Sequence, residues 1–226
     1  MTNLNDLNIE YRVSPRRRSI GIQVTAAGQV VVTLPRGTSQ ANLARALEKH
    51  RAWIEAKVAE RQAAWSRIKA GEAYFLGRPH RLTFHPKDGS RVTLEPGEIR
   101  VPRLKGGASV WPLLQAWYRE RASGLLQERV SHFKAPMGLV PGPVELKAWK
   151  RRWGECHPDG TLRFNWRLIM LPPEIIDYVV AHELAHLTVP GHNPRFWSQV
   201  AAMVPDYAAR RRWLNRQGAP FLSWRL

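Results

Sequence analysis

The chain has 226 residues, 44% of them apolar, and carries 35 Lys and Arg against 18 Asp and Glu, a net charge of +17. That apolar share supports a packed core and excludes a wholly disordered chain, and the length suits one large domain or two small ones. No apolar run approaches the ~20 residues needed to span a bilayer, the N-terminus lacks the basic-then-apolar order of a secretory signal, and Cys156, the only cysteine, admits no disulfide within the chain; a cytoplasmic protein with no membrane partner is expected.

The basic surplus attracts polyanions, which makes nucleic acid a candidate partner. Of the basic residues 27 are Arg and 8 are Lys, a bias that a GC-rich genome produces without selection for binding. They are spread widely, with short runs at Arg16 to Arg18, Lys150 to Arg152 and Arg210 to Arg212.

In chain order, residues 8 to 34 read as β. Ile20, Ile22 and Val24 alternate before a turn at Ala26 to Gly28, and Val30 to Leu34 follow. Thr38 or Ser39 can cap one long helix over about 38–70, with Leu43, Leu47, Ile54 and Val58 on one face and Gly71 closing it. Short strands are expected in "AYFLG", "HRLTFH", "RVTLEP" and "EIRVP", punctuated by Gly77, Pro86 to Gly89 and Gly97. The stretch "LKGGAS" at 104 to 109 is a composition break, which divides the chain into a strand-rich part with its long helix, 1–105, and a second part, 106–226. There a helical pattern over 110 to 134 precedes a β segment over about 144 to 168 that turns at Pro158 to Gly160. Helices are expected over 173–189, 194–203 and 206–217. Without βαβ alternation, the class is α+β.

Chemistry concentrates in "AHELAHLTVPGHNPRFW", residues 181 to 197. Pro172 and Pro173 suit a helix start, where the first turn has no use for their missing amides. Ile175, Ile176, Val179, Val180, Leu184 and Leu187 cover most of the circumference, so the helix is expected to be buried. His182, Glu183 and His186 in such a helix need partners, because unsatisfied polar groups are costly there. Residues four apart share a face, so both imidazoles can converge on one ion. Glu183 can then reach water in the open position, the H-E-x-x-H arrangement. Pro190 and Gly191 should turn the chain back and bring His192 in as third ligand, at the histidine spacing of metzincins. The glycine of that pattern normally falls three residues past the second histidine, where this chain has Val189. The alternative is a hydrogen-bonded histidine knot in a packed core.

The segment from "RRWGECHPDGTLRFNWRLIMLPP" through the histidine helix to "HNPRFW" and "YAARRRWL" closely resembles the YgjP-like metallopeptidase family, itself similar to SprT-like zinc proteins. The likeness extends more weakly over the N-terminal strands and the helix after them. The resemblance implies a zincin-like catalytic half, Zn²⁺ on His182, His186 and His192, and Glu183 as catalytic residue. Family members usually carry serine where this chain has Glu155. The family has also been associated with nucleoside-triphosphate hydrolysis.

Other residues carry weaker signals. Cys156 is a fourth ligand, a redox-sensitive thiol or, more simply, a packed strand residue. Trp149, Trp153, Trp166, Trp197 and Trp213 suit core packing, with base stacking the alternative. Arg163 and Asn165 are candidates to line a substrate strand or to polarise a reacting oxygen. Asp206 is the runner-up third ligand, and His50, His80, His85 and His157 are expected at the surface. Three functions follow in order: a zinc metallopeptidase using metal-activated water with Glu183 as base, a metal-dependent nucleoside-triphosphate pyrophosphohydrolase, and a nucleic-acid-binding protein with structural zinc. The substrate is accordingly a peptide or a nucleotide.

Overall fold

The computed structural model describes residues 9–25, 27–66, 68–85, 91–104, 106 and 108–224. The expected turn at Pro86 to Gly89, Ala26 of the first turn, and Lys105 and Gly107 of the composition break lie outside them. The fold is α+β, as expected, and divides into two compact units that meet between Ile68 and Lys69. The break at 104 to 109, where the boundary is expected from composition, lies inside the second unit.

In the first unit, β1 (Ile9–Val13), β2 (Gly21–Val24) and β3 (Val30–Leu34) form a sheet of order β1-β3-β2. Val30 and Val32 project from one face of β3 onto Ile54 and Val58, and these four form the buried centre. The helix expected over 38–70 is two helices, α1 (Gln40–Lys49) and α2 (Arg51–Trp65), separated at His50, whose φ and ψ of −107° and 8° leave the helical range. Ser39 caps α1 by accepting from the Asn42 amide. The apolar stripe passes through the break unaltered, so side-chain periodicity holds no trace of it. Ser66, not Gly71, ends α2.

The second unit opens with β4 (Glu72–Phe75), β5 (Arg78–His85), β6 (Thr93–Glu95) and β7 (Glu98–Pro102), in the order β4-β5-β7-β6. Leu76 and Gly77 both take positive φ, 49° and 77°, as a two-residue turn between twisted strands requires. Their amides donate to the Ile169 and Met170 carbonyls at 2.8 and 3.1 Å. The long helix α3 (Trp111–Lys134) follows, and the buried Tyr118 hydroxyl donates to the Tyr74 carbonyl at 2.8 Å. Then come β8 (Val144–Lys147), β9 (Gly154–Cys156) and β10 (Leu162–Asn165), in the order β8-β10-β9. A 3₁₀ turn, Trp166–Met170, leads into α4 (Pro173–Ala185), α5 (Pro194–Met203), α6 (Tyr207–Gln217) and α7 (Ala219–Ser223).

All three sheets share one device. The last strand enters between two earlier ones, parallel to one and antiparallel to the other: β3 between β1 and β2, β7 between β5 and β6, and β10 between β8 and β9. Parallel pairing thus arises without a crossover helix, the antiparallel strand serving as the connection. No described helix is long and apolar enough to cross a membrane.

Candidate metal centre

α4 is buried nearly all round: Ile175, Ile176, Val179, Val180, Ala181 and Leu184 are at most 3% exposed. Arg129 on α3 fixes its first turns through a two-pronged ion pair to Asp177, Nε–Oδ1 2.5 Å and Nη2–Oδ2 2.8 Å. The helix ends earlier than its periodicity suggests, at Ala185 rather than 189, with His186 as C-cap. Leu187 and Thr188 donate to carbonyls three residues back, and Val189 to that of Ala185. This tightened turn brings the Val189 carbonyl to 3.0 Å from His186 Nδ1.

The consequence is chemical. A carbonyl accepts only, so Nδ1 of His186 carries the proton and Nε2 keeps its lone pair for a cation. Val189 stands where the metzincin pattern has glycine, and its main chain orients the second histidine. Gly191 has open space around it and no left-handed backbone.

His192, in the segment between α4 and α5, reaches the other two. One ligand nitrogen from each of His182, His186 and His192 lies within 4.8 Å of the others. His192 Nε2 and His182 Nε2 are 3.1 Å apart; two nitrogens on one tetrahedral zinc, each ~2.0–2.1 Å from it, would be about 3.3 Å apart. Burial, followed by the neighbouring His186, His192 and Arg211, holds the His182 proton affinity down to about 3, and burial also lowers that of His186. Neutral imidazole is the form that binds metal, so the residues present fit a divalent cation. His182 Nδ1 is buried without a hydrogen-bond partner among the described residues. Packing fixes that ring instead, with Tyr178, Phe196 and Trp197 at centroid distances of 5.9, 4.9 and 6.0 Å.

The floor of the cluster comes from α5. Asn193 caps that helix by accepting from the Phe196 amide at 3.0 Å. Phe196 is fully buried and lies 4.4 to 4.9 Å from all three imidazole centroids. Trp197 Nε1 donates to the His192 carbonyl at 3.1 Å, and its indole stacks on the His192 ring at 5.7 Å. The only one of the three histidines outside a helix or its cap is therefore held by a tryptophan that sequence reasoning assigns to the core.

Glu183 is 6% exposed. Burial pushes its carboxyl up to about 8, against the Cys156 amide, which donates to it, while Glu155 raises it further and Arg152 lowers it. A Cβ on Gly154 would stand 2.4 Å from Glu183 Oε1, so the carboxylate lies on bare β9 backbone. That is the structural content of the stretch from Trp153 to Cys156: glycine leaves room for the carboxylate and the next-but-one amide holds it. Spacing alone does not reveal this contact.

The remaining candidates separate from the cluster. Cys156 is half-buried on β9, its thiol pushed up to about 11 by burial and by Glu183, and it is not part of the three-histidine group. Asp206 precedes α6 and pairs with Arg210 at 2.8 Å. Asn165 is fully buried and lines no substrate strand: its amide donates to the Trp149 and Arg152 carbonyls, and its oxygen accepts from the Arg167 amide. Arg163 pairs with Glu145 at 3.1 Å. His50 is exposed, whereas His80, His85 and His157 are half-buried.

Comparison with curated proteins found no match. The family described as YgjP-like, metallopeptidase domain, matches residues 18–217, which takes in every strand from β2 and every helix through α6. That family implies a zincin-like fold and a metal-dependent hydrolase. On this match, over most of its length, the chain belongs to the YgjP-like metallopeptidase family.

Proposed function

We propose that this hydrolase is a zinc peptidase in which His182, His186 and His192 hold the ion and Glu183 is the general base. The observation that carries it is the convergence of three imidazoles, two of them from the helix end that also carries a buried carboxylate. Zinc bound there would acidify water and polarise the bond to be cleaved. Glu183 takes the proton from water at its carboxylate and returns it to the leaving amine. Its raised proton affinity suits both halves of that task, and a nearby cation favours the ionised form needed first. The Cys156 amide and the Gly154 backbone keep the carboxylate aimed while it exchanges its proton.

Purified protein should hold about one zinc per chain, lost in His186→Ala, because three protein ligands are the minimum of a catalytic site. Glu183→Gln should keep the zinc and lose cleavage by about a hundredfold or more. Zinc that stays stoichiometric after replacing both His182 and His186 defeats the assignment. A second reading, phosphoanhydride cleavage in a nucleoside triphosphate, draws support from the net charge of +17. Peptides and nucleotides assayed side by side, with Glu183→Gln as control, separate the two. A structural site with nucleic acid as partner needs a fourth protein ligand, and the described cluster offers three.

A further inference from the structure

Beside the histidines stands Arg211, a cation with no assigned task. α6 places Tyr207 and Arg211 four residues apart, on one face, and both pack against Trp197. The Tyr207 ring stacks on the indole at 5.2 Å and 13°, and Arg211 Cζ lies 4.6 Å from the indole centroid. Trp197 in turn stacks on His192 and lies 6.0 Å from His182. The neighbouring Arg210 is neutralised by Asp206, whereas Arg211 is exposed and has no carboxylate within ion-pair distance among the described residues. Its charge is felt at both His182 and Tyr178.

A guanidinium lying over an indole keeps its edge donors free, and those donors match a two-oxygen acid group. Stacking also restrains a long side chain in advance, so less freedom is lost when an anion arrives. We propose that Arg211 forms an anion subsite next to the three-histidine centre and binds an acid group of the substrate through two of its oxygens. The acid group is the carboxylate of a peptide or a phosphate of a nucleotide, chemistry that Arg211 recognises in the same way. This deepens the hydrolase proposal and rests on it for the role of the ligand as substrate.

The test is calorimetric titration at low ionic strength of metal-free and zinc-loaded protein with acetyl-dialanine, its C-terminal amide and inorganic pyrophosphate. Wild type should bind the acid or pyrophosphate, and the uncharged amide about tenfold or more weakly. Arg211→Ala should lose about tenfold in anion affinity with zinc content unchanged, and Arg211→Lys should recover part of it. Arg212→Ala removes the same net charge from the same helix and should bind like wild type. Equal anion affinity in wild type and Arg211→Ala overturns the subsite, as does an equal loss in Arg212→Ala or no anion binding at all. Preference for pyrophosphate over acetyl-dialanine assigns phosphate, and the reverse assigns carboxylate. Arg211-dependent binding without turnover of any peptide or nucleotide leaves the subsite and removes the hydrolase reading. Glu183-dependent turnover with anion affinity indifferent to Arg211 does the opposite.

Discussion

Trp197 does two jobs for His192: its ring stacks on the imidazole, and its Nε1 proton fixes the carbonyl of the same residue. Replacing it by Phe keeps an aromatic surface and removes the donor. Trp197→Phe should weaken zinc binding by about tenfold, within the range for groups that orient a metal ligand, with little loss of helix content. Competition with a chelator measures the first and circular dichroism the second. If zinc affinity does not change, the hydrogen bond is not what positions His192. His182 and His186 are legible as a pair because four-residue spacing along a helix translates directly into a shared face, and His192 is legible because Pro190 and Gly191 announce a return of the chain. Trp197 is not, because its residue type suits a core equally well and its partner is a main-chain carbonyl, which no side-chain pattern encodes. Arg211 is hidden for a related reason, as one of 27 arginines distinguished only by what it faces.

Among elements, the decisive meeting is between β9 and α4. Gly154→Ala would place a methyl group 2.4 Å from Glu183 Oε1, and the carboxylate must move to admit it. Zinc content should stay at the wild-type level while cleavage falls by about a hundredfold, the scale for a displaced catalytic group. Metal analysis and turnover on one preparation decide it, and retained turnover would show that Glu183 is not held by this contact. The start of α4 is written in Pro172 and Pro173, but its end is set by hydrogen bonds to the 184 and 185 carbonyls, so a periodicity that continues through Leu187 overshoots. The break at His50 is illegible in the same way, since Leu43, Leu47, Ile54 and Val58 keep their stripe across it.

At the scale of the molecule, the basic surplus belongs to neither unit alone: the first 68 residues carry 11 basic against 5 acidic groups, and the rest 24 against 13. No separate basic module is marked out by composition. The strands β4 to β7 cluster with the histidine-bearing half because Tyr118 grips the Tyr74 carbonyl and the Leu76–Gly77 turn docks on the 3₁₀ turn before α4. Such long-range contacts are absent from composition, which shows only the glycines near 105. Gly77 lies at φ +77°, and a Cβ there would come within 2.9 Å of the Pro172 backbone. Gly77→Ala should therefore destabilise the second unit by about 1–3 kcal/mol through strain and displacement of that turn. Chemical denaturation of the full chain measures it, and an unchanged midpoint would mean that the turn bears no part of the stability.

The inserted-strand topology bears on how the protein is born. β8 and β9 leave the ribosome with no partner for each other, and their ladder is completed only by β10, which runs within a few residues into the 3₁₀ turn and α4. A nascent chain halted before residue 162 holds both banks of the sheet and no bridge between them. β10 thus ties the strand on which the Glu183 carboxylate rests to the helix that supplies that carboxylate, and a chain halted before it has neither the completed sheet nor any of the three histidines.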